Sequence, residues 1–140
     1  MTQVTEQDAR QMIAVVNTRN VDKIMEQYAE DATFQAPNHE KALQGKGAIR
    51  SYLTENFVAF PDWSMEVSKV FVQGNEVVVV DSVSGIHSGP LKAADGTAIV
   101  PTNKKFVQEQ MTRLVLNEHG KVKSLRSYGN AANLHPTPPK

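Results

Sequence analysis

The hydrophobic period of this chain changes once, at Pro61. Before it, apolar residues recur at the i, i+3, i+4, i+7 spacing of amphipathic helices, and after it they alternate as in half-buried strands. Ala9, Met12, Ile13 and Val16 form one such stripe, with Thr5 as its expected N-cap and Glu6 and Asp8 in the first turn. Asn20 caps a second stripe, Val21, Ile24, Met25 and Tyr28. Thr33 to Gln35 reads as a short strand stopped by Pro37-Asn38. Gly45 and Gly47 precede a third helix that carries Ile49, Leu53, Phe57 and Phe60, and Pro61 ends it because a residue before proline avoids helical geometry.

From Trp63 the side chains alternate: Trp63, Met65 and Val67 first, then Val70 and Val72 after a slip near Lys69 that marks a bulge. Gly74-Asn75 is a two-residue hairpin signal leading into a strand from Glu76 to Gly85. Turn signals fill the stretch from Gly89-Pro90 to Pro101. A long strand follows over 104–117, and Glu118-His119-Gly120 turns it back into a last strand over 121–128. Three helices followed by a meander of long strands is an α+β pattern. The expected fold is a single domain over 1–140, a cone of three N-terminal helices packed on a strongly curved antiparallel sheet, with a proline-rich tail over 135–140.

Charge and composition narrow the function. Fifteen basic and fifteen acidic residues cancel, so no electrostatic footprint for nucleic acid or an anionic membrane exists. With no cysteine there is no disulfide, thiol nucleophile or thiolate metal site. His39, His119 and His135 are scattered through loops and tail without metal-ligand spacing, so no metal is expected. No apolar run reaches the roughly 20 residues that span a bilayer, and the N-terminus lacks a signal-peptide core. The expectation is a cytoplasmic protein without cofactor, nucleic-acid partner or membrane partner.

Ordered segments carry a family resemblance. Asn17 to Tyr52 resembles the opening of the nuclear-transport-factor-2-like superfamily, which includes ketosteroid isomerases and SnoaL-like polyketide cyclases. Phe60-Pro61-Asp62-Trp63, the Val72 to Val79 hairpin, Ser84 to Leu91, Gly120-Lys121-Val122 and Tyr128-Gly129-Asn130 resemble successive elements of the SnoaL-like branch. The resemblance implies a pocket for a small, mostly apolar organic molecule. It also implies cofactor-free proton-transfer chemistry on a carbonyl-containing, polyketide-like substrate, namely ring closure, isomerisation or a lyase step. The alternative is a binding or accessory domain that has lost the acid. Where ketosteroid isomerases hold their base this chain has Ala36, and Asn130 stands where the branch has an aspartate. An amide can hold an oxygen but cannot transfer a proton near neutral pH.

The candidate catalytic residues are therefore His87, which matches the family histidine, with Asp62 or Asp81 as the carboxylate. Asp81 lies mid-strand, an unusual place for an acid. Gln110, Tyr128, Asn130, Trp63 and Tyr28 are the candidate substrate-binding residues. His87 and at least one of Asp62, Asp81, Gln110 and Asn130 are expected to converge on one cavity. On the long strand, Phe106, Gln108, Gln110, Thr112, Leu114 and Leu116 share one face, and Val107, Met111 and Val115 the other. Apolar residues on both faces predict a homodimer through the face the helices leave bare.

Overall fold

The computed structural model describes residues 4–37, 39–92 and 96–129. Two short helices open the chain, α1 (Glu6–Val16) and α2 (Val21–Met25). Strand β1 (Tyr28–Gln35) and the short β2 (Leu43–Gln44) follow, then α3 (Gly45–Ala59). Beyond Pro61 come β3 (Ser64–Gln73), β4 (Glu76–Ile86), the small pair β5 (Leu91–Lys92) and β6 (Ala98–Ile99), and the long β7 (Lys105–Leu116) and β8 (Val122–Gly129).

Local chemistry sets the boundaries. The Thr5 hydroxyl accepts from the Asp8 amide at 3.1 Å while the Asp8 carboxylate accepts from the Thr5 amide at 3.0 Å, a reciprocal cap for α1. Asn20 caps α2 through the Lys23 amide at 3.2 Å. Helix α3 stops at Ala59, and Phe60, before Pro61, has left helical geometry at φ −127°, ψ 77°. The freed Ala59 carbonyl accepts from the amides of Ser88 and Gly89, both at 3.1 Å. That contact draws Gly89 so close to α3 that a Cβ there would sit 1.9 Å from the Val58 carbonyl oxygen.

The main sheet has six strands in the order β2-β1-β8-β7-β4-β3. It is mixed rather than wholly antiparallel: β1 runs parallel to β8, with Phe34 opposite Leu125. The helices carry the chain away from β1 and the meander comes back from the far edge. The last strand then finds β1 beside it running the same way. Two other expectations shift. Tyr28 falls on the helical stripe by spacing, yet α2 ends at Met25 and Tyr28 is the first residue of β1. The turn-rich stretch after Gly89 holds the β5–β6 pair. The slip near Lys69 is a bulge: the β3–β4 register shifts between Val67 and Lys69, and the Ser68 hydroxyl bonds the Val80 carbonyl at 3.0 Å.

Alternation divides the sheet. Val77, Val79, Asp81 and Val83 of β4 and Phe106, Gln108, Gln110 and Thr112 of β7 are buried on the face that meets the helices. The core gathers there around Ile24, Met25, Ile49 and Leu53. On the opposite face Phe71, Val107, Met111 and Tyr128 are about half exposed. The Arg126 guanidinium lies over the Tyr128 ring, 4.8 Å from its centroid.

Candidate functional site: a cavity with a carboxyl behind its floor

Between the helices and the inner sheet face lies a cavity of about 670 Å³, within the range of small-molecule sites. Its walls are largely apolar, with Phe34, Phe57, Phe60, Trp63 and Phe106 among them. Trp63 meets Phe57 edge to face at 5.7 Å. Tyr52, from α3, and His39, from the loop after β1, also line it, with ring centroids 4.7 Å apart. The His39 Nδ1 accepts from the Ala36 amide at 3.1 Å, so a neutral ring there carries its proton on Nε2. Burial raises the hydroxyl pKa of Tyr52 to about 12 and that of Tyr28 further still, so both phenols stay protonated.

On the sheet side of the cavity the polar residues form one patch: Gln110 and Thr112 of β7 and Ser127 of β8. Behind it sits Asp81, which pairs with Gln110 across the β4–β7 ladder and is 2 % exposed. The Gln110 amide donates to Asp81 Oδ2 at 2.8 Å, and the Thr112 hydroxyl donates to Asp81 Oδ1 at 3.1 Å. Thr112 Oγ1 and Ser127 Oγ are 2.9 Å apart. Burial pushes the Asp81 pKa up to about 6, against the opposing pull of the Gln110 and Thr112 hydrogen bonds. A carboxyl poised there holds or releases a proton within the physiological range.

The structure brings together some of the expected site residues and separates others. Tyr28, Trp63 and Gln110 line the cavity, and Asp81 stands one hydrogen bond behind it. His87 does not reach the cavity wall. It is fully buried beyond the end of β4, its ring 5.3 Å from that of Phe60 and its Nδ1 3.3 Å from the Thr102 hydroxyl. Its Nε2 has no hydrogen-bond partner among the described residues. Burial lowers its pKa, a hydrogen bond with the Gly89 backbone opposing, which favours the neutral ring. Asp62 is an exposed turn residue whose Oδ1 accepts from the Ile86 amide at 2.8 Å, tying the α3–β3 corner to β4. Tyr128 points from the opposite face of the sheet, because the β8 alternation that turns Ser127 inward turns Tyr128 out. Asn130 lies outside the described residues. The expected convergence of His87 on the cavity is thus replaced by a convergence of Asp81, Gln110, Thr112 and Ser127.

His39, Thr112 and Ser127 are cavity residues that the sequence did not single out as site residues. A serine or threonine inside an apolar alternation was the available signal for two of them. His39 offered none, since its position depends on where α3 places Tyr52.

Comparison with known proteins agrees with this geometry. Residues 9–125 match the SnoaL-like domain. The chain belongs to that family. No curated protein matches it in sequence. Among solved structures, a protein of Jannaschia sp. CCS1 described as a SnoaL-like polyketide cyclase superposes with a TM-score of 0.75 at 16 % identity, covering 99 % of this chain and 100 % of that one. SalBIII, an epoxide hydrolase/cyclase-like enzyme of pyran ring formation in the polyether salinomycin, gives 0.74 at 20 % identity, with 89 % of each chain covered. A protein of Catenulispora acidiphila with a ketosteroid isomerase-like fold, solved with trimethylamine, gives 0.74 at 14 % identity, covering 94 % and 91 %. At these identities the likeness is one of fold: helices on a curved, mixed six-stranded sheet, the cone of the nuclear-transport-factor-2-like group. Among the described residues no helix is long and apolar enough to cross a membrane, and no group of three or more His, Asp or Glu could hold a metal ion.

Proposed function

We propose that this SnoaL-like protein binds a small, mostly apolar, carbonyl-containing molecule of polyketide type in the cone cavity. There it catalyses cofactor-independent proton transfer, with Asp81 as the acid–base group. The observation that carries the reading is the Asp81 carboxyl, buried behind a cavity wall, held by Gln110 and Thr112 and raised to about 6. The apolar walls suit a flat carbon skeleton, and the Tyr28 phenol offers a hydrogen bond to its oxygens. The relatives described as cyclases lend support by analogy of fold. His87 and Asp62 take the part of corner residues that hold the end of β4 in place.

A second reading, a binding domain without catalysis, is favoured by one observation: Asp81 is not itself part of the cavity wall. The two separate by experiment. Polyketide-like ketones are screened for binding through the emission of Trp63, the chain's only tryptophan, and the binders are then assayed for turnover. Catalysis predicts a rate that rises with pH through an apparent pKa near 6 and falls roughly 10²–10⁴-fold in Asp81→Asn. Binders that are never turned over, or unchanged turnover in Asp81→Asn, would favour the binding domain.

The half-exposed apolar residues Phe71, Val107, Met111 and Tyr128 on the outer sheet face support a homodimer formed through that face.

A further inference from the structure

The cavity floor has a detail that decides which bond it can act on. Asp81 is closed off from any ligand: Gln110 occupies Oδ2, Thr112 occupies Oδ1, and the residue is 2 % exposed. Thr112 is closed off as well. Its single proton goes to Asp81, so the 2.9 Å contact with Ser127 must be a donation from Ser127 to Thr112 Oγ1. The Gln110 amide also approaches that oxygen, at 3.3 Å. Both lone pairs of Thr112 are then engaged. Ser127 lines the cavity and, of these two hydroxyls, is the one with acceptor capacity left.

We propose that Thr112 and Ser127 relay protons between Asp81 and an O–H group of the bound molecule, so that this cavity takes hydroxyl-bearing substrates and activates oxygen rather than carbon. The inference rests on the acid–base reading above and deepens it. In the step, the substrate O–H bond breaks and its proton bonds to Ser127 Oγ. The Ser127 proton passes to Thr112 Oγ1, and the Thr112 proton to Asp81 Oδ1. The electron pair stays on the substrate oxygen, now a nucleophile, and charge moves from the carboxylate to that oxygen with nothing oxidised or reduced. The same path run backward returns the proton. A carbon acid cannot use this route. A C–H group makes no strong hydrogen bond to Ser127 Oγ, so nothing aligns its proton for a transfer concerted with the steps to Asp81.

Two matched probes test this, 2-naphthol and 2-methoxynaphthalene, which share a flat apolar skeleton and differ in the O–H donor. Their affinities are measured calorimetrically at pH 7.5 and pH 5. At pH 7.5 the protein binds 2-naphthol roughly tenfold more tightly, the worth of one good hydrogen bond to Ser127. At pH 5 the preference disappears as Asp81 takes up its proton. Ser127→Ala abolishes the preference at both pH values and Ser127→Thr restores it, whereas Asp81→Asn at pH 7.5 behaves like the wild type at pH 5. Tyr28, His39, Tyr52 and Glu55 are the other titratable groups facing the cavity, and the ladder neighbours of Asp81, Val67 and Gln110, do not titrate. Any pH dependence that survives in Asp81→Asn would belong to those titratable groups and would overturn the relay. So would equal binding of the two probes, or a preference that persists in Ser127→Ala, although the apolar cavity reading would stand. Failure of both probes to bind would overturn that reading and the relay with it.

Discussion

Replacing Asp81 by Asn should stabilise the protein at neutral pH and not in acid. The folded state holds this carboxyl at about 6 where the unfolded chain holds it at 3.8, because burial costs the charged form more than the Gln110 and Thr112 bonds return. A group whose folded pKa is raised binds more protons folded than unfolded between the two values, so stability falls as pH rises through that window. The rise from 3.8 to about 6, at about 1.36 kcal/mol for each tenfold change in acidity, makes the cost about 3 kcal/mol. That cost is absent below pH 4, grows up to pH 6, and is complete above. Asparagine carries no such cost. Its oxygen still accepts from Thr112, and the Gln110 amide can turn to offer its own oxygen to the new NH₂. Urea unfolding of both proteins between pH 4 and 8 should show the difference, Asn minus Asp, rising by about 3 kcal/mol and levelling above pH 6.5 or so. A flat difference would mean that Asp81 does not feel its burial. A difference that falls with pH would mean that its two hydrogen bonds outweigh desolvation, and the carboxyl would then be a structural anion rather than a poised acid.

Three further outcomes follow from the same geometry. Gly89→Ala would drive a methyl into the Val58 carbonyl, backbone that cannot turn aside, and should cost roughly 3 kcal/mol in thermal unfolding; a loss below 1 kcal/mol would show that the α3 end gives way easily. Met111→Lys, at the centre of the bare outer face, should yield a monomer in analytical ultracentrifugation at micromolar concentration with far-UV dichroism unchanged, while a wild type that is itself monomeric refutes the dimer. His87→Ala should lower stability by about 1–3 kcal/mol through lost packing on Phe60 and leave 2-naphthol affinity within about twofold; loss of binding alone, with stability kept, would return His87 to the site.

Local features of the fold were legible in the sequence because they rest on neighbours. Thr5 and Asn20 cap where their residue types say they should, and α3 stops just before Pro61. The slip of alternation near Lys69 is a bulge. Features that depend on distant segments were not legible. Tyr28 satisfies the α2 stripe as well as it satisfies β1, and only the pairing of β1 with β8 decides between them. The two faces of β7 could be sorted from sequence, Gln110 and Thr112 on one and Met111 on the other, yet which face the helices cover is a tertiary fact. Asp81 was marked out as a mid-strand acid, but its partners Thr112 and Ser127 come from two other strands. His87 matched a family position, and the turn that carries it past Ile86 places it under Phe60 instead of at the cavity.

The parallel seam between β1 and β8 has a consequence for how the protein is made. Phe34 must wait for Leu125, which leaves the ribosome only after the helices and the whole meander have been synthesised. Until then the aromatic lining of the cone faces water and β1 presents an unpaired edge. Pairings so distant in sequence form slowly, since chain closure must precede any reward from contact. The nascent protein therefore passes through a stage in which the surface that later receives a ligand is open to other chains. A small apolar molecule present during refolding would find that surface before the last strand does, and yields of folded protein should report it.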